Sequence, residues 1–280
     1  MLPLLTLHTD VVPTEPLVEQ SAGWFELAIL AIVQGLAEFL PISSSGHLVL
    51  TQELLGVKES SIALEVALHV GTLFAVFVVY RADLWQIVKD VLRFDLREVV
   101  MLVVASIPAA IVGVFFDELI EAAFADVRWV ALGLFLTAGF LVFGERLRQR
   151  NLDLERDEPL TVPKALLVGV FQAVAICPGI SRSGSTIAAG MAVGWSAARA
   201  ARFSFLISII AIGGAAILKL PEALQAEGQA LRLGFGVVVS ALVGWIALVW
   251  LLKLLEQGAF AKFAGYCALV GCVVAYLTWR

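Results

Sequence analysis

The chain has 280 residues, of which 60% are hydrophobic and only 15% are charged, and its mean hydropathy is +0.94. Soluble domains are about half apolar and about a quarter charged. This much apolar surface predicts a single integral membrane domain over 1–280, with lipid as the solvent for most of it. With a net charge of −5 and no basic patch that suggests nucleic acid, the expected partners are the membrane and membrane-borne molecules.

The first 23 residues contain three prolines but no lysine or arginine. A cleaved signal peptide begins with positive charge, so we interpret 1–23 as a poorly ordered tail. Cys177, Cys267 and Cys272 stand in apolar segments without metal-ligand spacing. Small packing residues are the simplest interpretation of all three.

Six stretches are long and apolar enough to cross a bilayer core, which requires about 20 residues. They are 62–80, 98–116, 127–144, 200–218, 233–255 and 260–279. Two further apolar segments, 24–56 and 163–195, are interrupted at their middle by proline, glycine and serine. Non-helical backbone at membrane depth is tolerated only where protein or a water-filled cavity covers it. The sequence therefore predicts an all-α polytopic membrane protein with six spanning helices and two re-entrant helical hairpins.

The connecting loops predict the orientation. Lysine and arginine are concentrated in the 81–97 and 145–164 loops, whereas the 117–128 loop is acidic apart from Arg128. The positive-inside rule places the two basic loops in the cytoplasm. We therefore expect a multi-pass protein of the cell (inner) membrane with its N- and C-termini outside the cytoplasm. Arg199 and Arg202 are expected at the cytoplasmic interface.

The two interrupted segments resemble each other at an offset of 138 residues. The matched pairs are Gln34 with Gln172, Ser43 with Ser181, Ser45 with Ser183 and Gly46 with Gly184. The halves 24–144 and 163–279 each hold one hairpin and three predicted spans, and an odd number of spans inverts the second half. Such inverted repeats are common in transporters and place the site near the membrane midplane.

The first interruption offers a carboxylate and an imidazole. Gln34 and Glu38 share one face of a helix that Pro41 then ends. A carboxylate at membrane depth costs at least about 2.5 kcal/mol, so Glu38 should face a cavity or a partner. The structural alternative is that Glu38 caps a neighbouring helix or pairs with Arg182 only for assembly. His47 can exchange a proton near neutral pH. Residues that can present hydroxyls and backbone N–H groups to an anion lie between them: Ser43, Ser44, Ser45 and Gly46.

The second interruption offers a cation. Arg182 is the only cation between Lys164 and Arg199, and a guanidinium flanked by hydroxyls and glycine is typical of a phosphate site. An apolar helix over 186–193 would add its N-terminus. The flanking residues expected near the phosphate are Ser181, Ser183, Gly184 and Thr186. The structural alternative is an arginine that satisfies helix carbonyls.

Together the two loops suit a phosphate anion held by Arg182 and backbone amides, with Glu38 able to bind a divalent metal ion such as Mg²⁺. A substrate that reaches this depth should itself be lipid-linked. Glu65 and His69 form a second polar pair four residues apart inside a predicted span. They either line the same cavity or satisfy each other, and the chain offers no second histidine for a HExxH zinc site.

These residues resemble the signatures of the undecaprenyl-diphosphate phosphatase family, also called bacitracin-resistance proteins. The first signature matches Gln34 to His47, the second matches Pro178 to Thr186, and a third familial stretch covers Arg202 to Leu206. The resemblance covers nearly the whole chain. It implies hydrolysis of undecaprenyl diphosphate to undecaprenyl phosphate and inorganic phosphate, which recycles the lipid carrier for cell-wall peptidoglycan synthesis and confers bacitracin resistance. Family members act on the outer face of the inner membrane.

The resemblance also implies the site: catalytic Glu38, Ser44, His47 and Arg182, and an Mg²⁺ or Ca²⁺ ion at Glu38 and Gln34. Gln34 stands where many relatives carry an acidic residue, which removes one charged ligand. Ser44 would be nucleophile or phosphate ligand, and His47 would act as general acid or base or would activate an attacking water. Many relatives have a proline soon after the third stretch; 207–210 has none, which puts the helix shape there in doubt. The resemblance leaves homodimer formation open.

Two other functions compete with this hypothesis. Inverted repeats with broken helices are typical of a transporter or lipid flippase, and nothing in the sequence excludes transport alongside hydrolysis. The type-2 phosphatidic-acid phosphatases also show Ser-Gly-His, but they need a histidine five residues after the Ser-Arg arginine. Position 187 is isoleucine and no histidine follows His69, so this second alternative fails.

Overall fold

The computed structural model describes residues 23–57, 62–151, 158–223 and 229–279. The predicted tail, apart from Gly23, lies outside the described residues. Within them every regular element is an α-helix. In chain order the helices are α1 (Trp24–Phe39), α2 (Ser44–Leu55), α3 (Ile62–Val79), α4 (Arg81–Leu92), α5 (Arg97–Phe115), α6 (Asp117–Phe124), α7 (Val127–Asn151), α8 (Val162–Val174), α9 (Arg182–Ala192), α10 (Ala197–Ala223), α11 (Ala230–Glu256) and α12 (Lys262–Thr278).

Five helices of the described part are long and apolar enough to cross a membrane, namely α3, α5, α7, α10 and α11. These helices confirm the prediction of an all-α polytopic membrane protein. At the sixth predicted span, 260–279, the apolar helix α12 has 17 residues. The third familial stretch lies within α10, and this helix continues without a break through 207–210, where there is no proline.

The prediction of loops between the spans was too simple. The 81–97 connection contains α4, which buries no residue and carries apolar side chains at helical spacing between charged ones. The 117–128 connection contains α6, whose first turn holds Asp117 and Glu118, where carboxylates interact favourably with the helix dipole. The span predicted to end at 144 continues to Asn151, and an i,i+3 ion pair between Glu145 and Arg148 lies in its extra turns.

Both interrupted segments are broken helices, as predicted. α1 ends at Phe39 and α2 begins at Ser44, while α8 ends at Val174 and α9 begins at Arg182. Helix α9 starts at Arg182, four residues before the predicted start at 186. Ser181 caps it by accepting a hydrogen bond from the backbone N–H of Gly184, as Ser43 caps α2 through Gly46.

Several helix contacts occur twice, once with each half of the chain in each role. α3 packs on α10 and α7 packs on α12, each helix meeting its own counterpart in the repeat. The contact between α1 and α11 is matched by the contact between α8 and α5. The contact between α3 and α11 is matched by that between α10 and α5.

The two broken segments touch each other through small residues at their breaks. A Cβ atom added to Gly46 would lie 3.0 Å from the Cα atom of Gly179. One added to Gly184 would lie 3.2 Å from the Cβ atom of Pro41. At the 138-residue offset, Gly184 is the counterpart of Gly46 and Pro41 is the counterpart of Gly179. The second contact therefore repeats the first with the two halves exchanged, as in a two-fold symmetric pair.

Helix α7 supports the break between α8 and α9 from behind. Gly179 has a φ of 85°, a conformation that glycine adopts without the penalty of a side chain. Thr137 donates its hydroxyl to the carbonyl of Gly179 at 2.9 Å and accepts the backbone N–H of Ser181 at 2.8 Å. A Cβ atom on Gly133 would lie 2.2 Å from the carbonyl oxygen of Pro178. The arginine-bearing loop is therefore set directly on the backbone of α7.

We predict that Gly133→Ala destabilises the protein by about 1–3 kcal/mol, because the new methyl group must displace backbone rather than a movable side chain. Gly139→Ala on the same helix is the matched control, since nothing lies within 4 Å of its added Cβ atom. That control should be neutral or stabilising by up to about 1 kcal/mol. The measurement is the thermal unfolding midpoint of both variants in detergent, and equal midpoints would contradict the packing described here.

Candidate functional site

Two helix N-termini meet at the breaks. The first N–H groups of an α-helix have no acceptor within the helix. The side chains of Ser43 and Ser181 each take one such group, that of Gly46 at 3.2 Å and that of Gly184 at 3.1 Å. The N–H groups of the first two residues of α2 and of α9 remain without an acceptor inside their own helices. Two adjacent N-termini of this kind favour an anion.

Arg182 is the first residue of α9, and its side chain crosses to the other half of the chain. Its Nη2 atom donates to Oε1 of Glu38 at 2.7 Å, and its Nη1 atom lies 3.5 Å from the carbonyl oxygen of Ser204 on α10. The side chains of Arg182 and Glu38 are only 15% and 4% exposed. Removing one partner of a buried pair costs about 3–5 kcal/mol, because the other charge is left uncompensated. The pairing predicted as the structural alternative is thus present.

Glu38 joins three helices through its two carboxylate oxygens. While Oε1 receives Arg182 of α9, Oε2 receives the hydroxyl of Ser44 at the start of α2, at 2.7 Å. The side-chain amide of Gln34, one turn earlier on α1, donates to the same Oε2 atom at 3.0 Å. The ion pair therefore also lies on the surface of a site, since Glu38, Ser44 and Arg182 all line one cavity.

His47 lies to one side of this arrangement. Its Nδ1 atom bonds to the carbonyl oxygen of Ser43 at 2.9 Å, and its Nε2 atom bonds to the hydroxyl of Tyr266 on α12 at 2.7 Å. The two rings are stacked, with centroids 5.6 Å apart. His47 is not among the residues that line the cavity, so both of its nitrogen atoms are used to hold the turn rather than to face the anion site.

The hydroxyl groups divide into two sets. Ser45 and Ser181 line the cavity. The other residues predicted near the phosphate lie behind it: Ser43, Gly46, Ser183, Gly184 and Thr186. Thr186 bonds at 2.6 Å to the hydroxyl of Ser204, so it ties α9 to α10. These residues shape the two turns instead of lining the cavity.

The cavity has a volume of about 530 Å³, a polar floor, and walls that carry both apolar and charged side chains. The floor is Glu38, Ser44, Ser45, Ser181 and Arg182; α3 adds Ile62, Glu65, Val66 and His69; α10 adds Ala211, Ile212, Ala215, Ala216 and Lys219; α6 adds Asp117, Glu121 and Phe124; and the remaining residues are Ala37, Ala175, Ile176 and Ile180. Of the two alternatives for Glu65 and His69, the structure shows the first, since both line this cavity. The cavity leads from the helix breaks towards α6.

Comparison with known proteins assigns the chain to a family. The model of the family described as bacitracin resistance protein BacA matches residues 27–273. The chain belongs to the BacA family. Among its relatives, the undecaprenyl-diphosphatase of Halothermothrix orenii is 39% identical over 90% of this chain and 97% of its own length. The undecaprenyl-diphosphatases of Methanobrevibacter smithii and Corynebacterium glutamicum are 38% and 35% identical, over 88% and 94% of this chain and over 94% and 93% of their own lengths.

The donor atoms of this BacA-family site fit a divalent ion for which water and phosphate oxygens supply most of the ligands. In the part of the chain that the structure describes, no three His, Cys, Asp or Glu side chains are grouped to hold a metal ion. The floor of the cavity has one carboxylate, Glu38, and the buried Oε1 atom of Gln34 has no hydrogen-bond partner. One protein carboxylate with water and phosphate oxygens is a typical environment for Mg²⁺.

The opposite end of the bundle carries the predicted interfacial arginines. Arg202 bonds to Asp83 of α4 and to Glu98 of α5, both at 2.5 Å. Arg199 and Arg202 line a second cavity of about 280 Å³ beside α4. The third familial stretch therefore begins in an ion-pair network that ties α10 to the basic end of the protein. Two residues later, Ser204 contacts Arg182.

The second half of the chain has no carboxylate to match Glu38. The residue at the 138-residue offset is Ile176, which lines the same cavity. Gln172, the counterpart of Gln34, is buried, and neither its side-chain nitrogen nor its oxygen has a hydrogen-bond partner. The repeat thus keeps the amide in both halves and the carboxylate in only one.

Proposed function

We propose that this chain is an undecaprenyl-diphosphate phosphatase of the cell membrane. It hydrolyses undecaprenyl diphosphate to undecaprenyl phosphate and inorganic phosphate, and so recycles the lipid carrier for peptidoglycan synthesis and confers bacitracin resistance. Membership of the BacA family supports this, as do relatives named undecaprenyl-diphosphatase that match nearly their full length. The observation that carries it is Arg182 between two helix N-termini on the floor of an apolar cavity.

The diphosphate binds on the polar floor. Arg182 offers a planar pair of donors to phosphate oxygens, and the first N–H groups of α2 and α9 add neutral donors around it. The apolar walls formed by α10 and by Ile176 and Ile180 suit the first isoprene units of the lipid. A phosphate bound to Arg182 also competes with Glu38 for the positive charge of the guanidinium.

Two routes for hydrolysis fit the floor, and both attack the terminal phosphorus. In the first, the Ser44 oxygen forms the new P–O bond, its proton passes along the 2.7 Å hydrogen bond to Glu38, and undecaprenyl phosphate leaves as the bridging bond breaks. Water then cleaves the phosphoserine to release inorganic phosphate. In the second, water attacks directly and Glu38 accepts its proton. In either route Arg182 stabilises the charge on the phosphate oxygens.

His47 is assigned a positioning role. It holds the carbonyl group of Ser43 on one side and the Tyr266 hydroxyl on the other, so it fixes the turn from which Ser44 projects. The catalytic role expected for His47 from the family signature would require its ring to leave both partners.

We also propose the finer topology predicted from the sequence. α12 is the sixth span, and α1–α2 and α8–α9 are re-entrant hairpins of the inverted repeats 24–144 and 163–279. The exchanged contacts at Gly46 and Gly184 support this arrangement. The cavity leads towards α6, in the acidic connection that the positive-inside rule places outside, so the site opens to the outer face and both termini lie outside the cytoplasm.

A divalent ion, Mg²⁺ or Ca²⁺, is proposed at Glu38 and the unpaired Oε1 atom of Gln34. When bound there it would neutralise charge on the phosphate oxygens. We expect phosphate release from a polyprenyl diphosphate to stop when a chelator is added and to return when either ion is supplied in excess. Unchanged release in the chelator would contradict the metal site and leave the rest of the proposal standing.

Arg182→Ala should lower the rate of phosphate release by about 100- to 1,000-fold, because it removes the charged clamp on the phosphate. Arg182→Lys keeps the charge without the planar pair of donors, so its rate of phosphate release should lie between those of Arg182→Ala and the wild type. The assay uses the purified variants in detergent without a gradient, after gel filtration has shown that they are folded. Near-normal release by a folded Arg182→Ala would contradict the site, and a wild type that releases none would favour lipid transport instead.

Ser44→Ala distinguishes the two hydrolytic routes, and Ser45→Ala is its matched control on the same turn. If Ser44 is the nucleophile, its alanine variant loses turnover almost completely, and rapid acid quench of the wild type traps a phosphoserine at position 44. If water attacks directly, no phosphoserine accumulates, and the loss is nearer to the roughly 1 kcal/mol worth of a hydrogen bond. Ser45→Ala removes a floor hydroxyl that bonds to Ser43 rather than to Glu38, so it should cost no more than about one hydrogen bond in either route.

A further inference from the structure

His69 is the histidine that faces the anion site. It lies on α3, and its Nδ1 atom is 2.8 Å from the backbone carbonyl oxygen of Glu65. A carbonyl oxygen only accepts hydrogen bonds, so Nδ1 carries the hydrogen atom. In the neutral ring, Nε2 is then a hydrogen-bond acceptor. The side chain of His69 is 33% exposed, and the surface it exposes belongs to the wall of the cavity.

The Nε2 atom of His69 lies 3.8 Å from Oε2 of Glu38. This separation exceeds that of a hydrogen bond, and two acceptors do not bond each other directly. A water molecule at hydrogen-bond distance from both atoms fits this geometry, since it has two O–H groups and such distances are about 2.7–3.0 Å. The pair therefore forms an acceptor site on the cavity floor, beside the guanidinium of Arg182.

The two histidines within the described residues differ in this respect. Both ring nitrogens of His47 have protein partners, the Ser43 carbonyl and the Tyr266 hydroxyl. His69 uses only Nδ1 for such a contact and directs Nε2 at the carboxylate that also receives Ser44. The imidazole that can reach a reactant in the cavity is thus the one on α3, which is not part of any family signature named above.

We propose that His69 is a positioning residue for the water molecule of the reaction. Its Nε2 atom and Oε2 of Glu38 each accept one hydrogen bond from that water, which aims its oxygen at the phosphorus held by Arg182. The role is the same whether the water attacks the diphosphate or the phosphoserine. This inference rests on the proposed hydrolysis, and the bonds made and broken are those of the two routes given above.

His69→Leu should lower kcat by about 100-fold, which is the cost of a reactant misplaced by about 1 Å, and should leave KM within about threefold of the wild type. His69→Gln should recover most of kcat, because its amide oxygen can accept the same hydrogen bond. Val78→Ala, on the same helix but 50% exposed and outside the cavity, is the matched control and should change neither constant by more than about threefold.

A second readout separates water positioning from a merely structural role. In mixtures of methanol and water, the ratio of methyl phosphate to inorganic phosphate, read by ³¹P NMR, reports which hydroxyl attacks phosphorus. His69→Leu should raise this ratio at least about tenfold, and Val78→Ala should leave it unchanged. A tenfold ratio corresponds to about 1.4 kcal/mol of lost preference for water.

Three outcomes would overturn the proposal. They are a folded His69→Leu with wild-type kcat, a rise in KM alone, and an unchanged product ratio in a variant whose kcat has fallen. A shift of the product ratio in His47→Leu and not in His69→Leu would transfer the role to His47. If the wild type releases no phosphate at all, the proposed function fails before His69 is tested, so the two failures are distinguishable.

Discussion

The ion pair between Glu38 and Arg182 is the interaction on which the site depends. Each group alone would be costly at membrane depth, and each comes from a different half of the chain. Their 2.7 Å contact places the ends of α1 and α9 side by side, and Ser44 joins through the same carboxylate. The stabilising contact and the reactive centre are therefore one set of atoms. A substrate phosphate must compete for a guanidinium that the fold already uses.

Much of this arrangement could be predicted from local chemistry. Prolines and serines predicted both helix breaks, and the isolation of Arg182 and Glu38 among apolar residues made their pairing one of the alternatives. Other residues that hold the site together could not be predicted, because nothing in the nearby sequence marks them. Tyr266 is 219 positions from His47, on an apolar helix where tyrosine is ordinary. Thr137 and Ser204 are small hydroxyl residues inside spans, and only the packing of α7 and α10 gives them partners. The helices α4 and α6 were missed because charge counting describes a connection without describing its backbone.

The close packing of the two breaks requires small residues at defined places. Gly46 and Gly179 meet backbone to backbone, and Gly133 lets α7 approach the carbonyl of Pro178. Such contacts hold the N-termini of α2 and α9 adjacent without using the side chains that face the cavity. The glycines and the polar residues thus have separate tasks: the first set the distance between the loops, and the second face the anion. His69 enters from a third helix, so the acceptor for water is positioned independently of the phosphate clamp.

The unpaired amide of Gln172 and the apolar Ile176 have a consequence for the origin of the fold. Two identical halves related by a two-fold axis would bring two carboxylates to the same floor, and like charges at short range cannot both stay ionised. Replacing one carboxylate by isoleucine and one serine by arginine turns that repulsion into attraction. A duplicated ancestor could gain this only after its two copies were free to differ in sequence. Gln172 would then be the counterpart of Gln34 that kept its buried position after the carboxylate beside it was lost, whereas Gln34 still donates to Glu38.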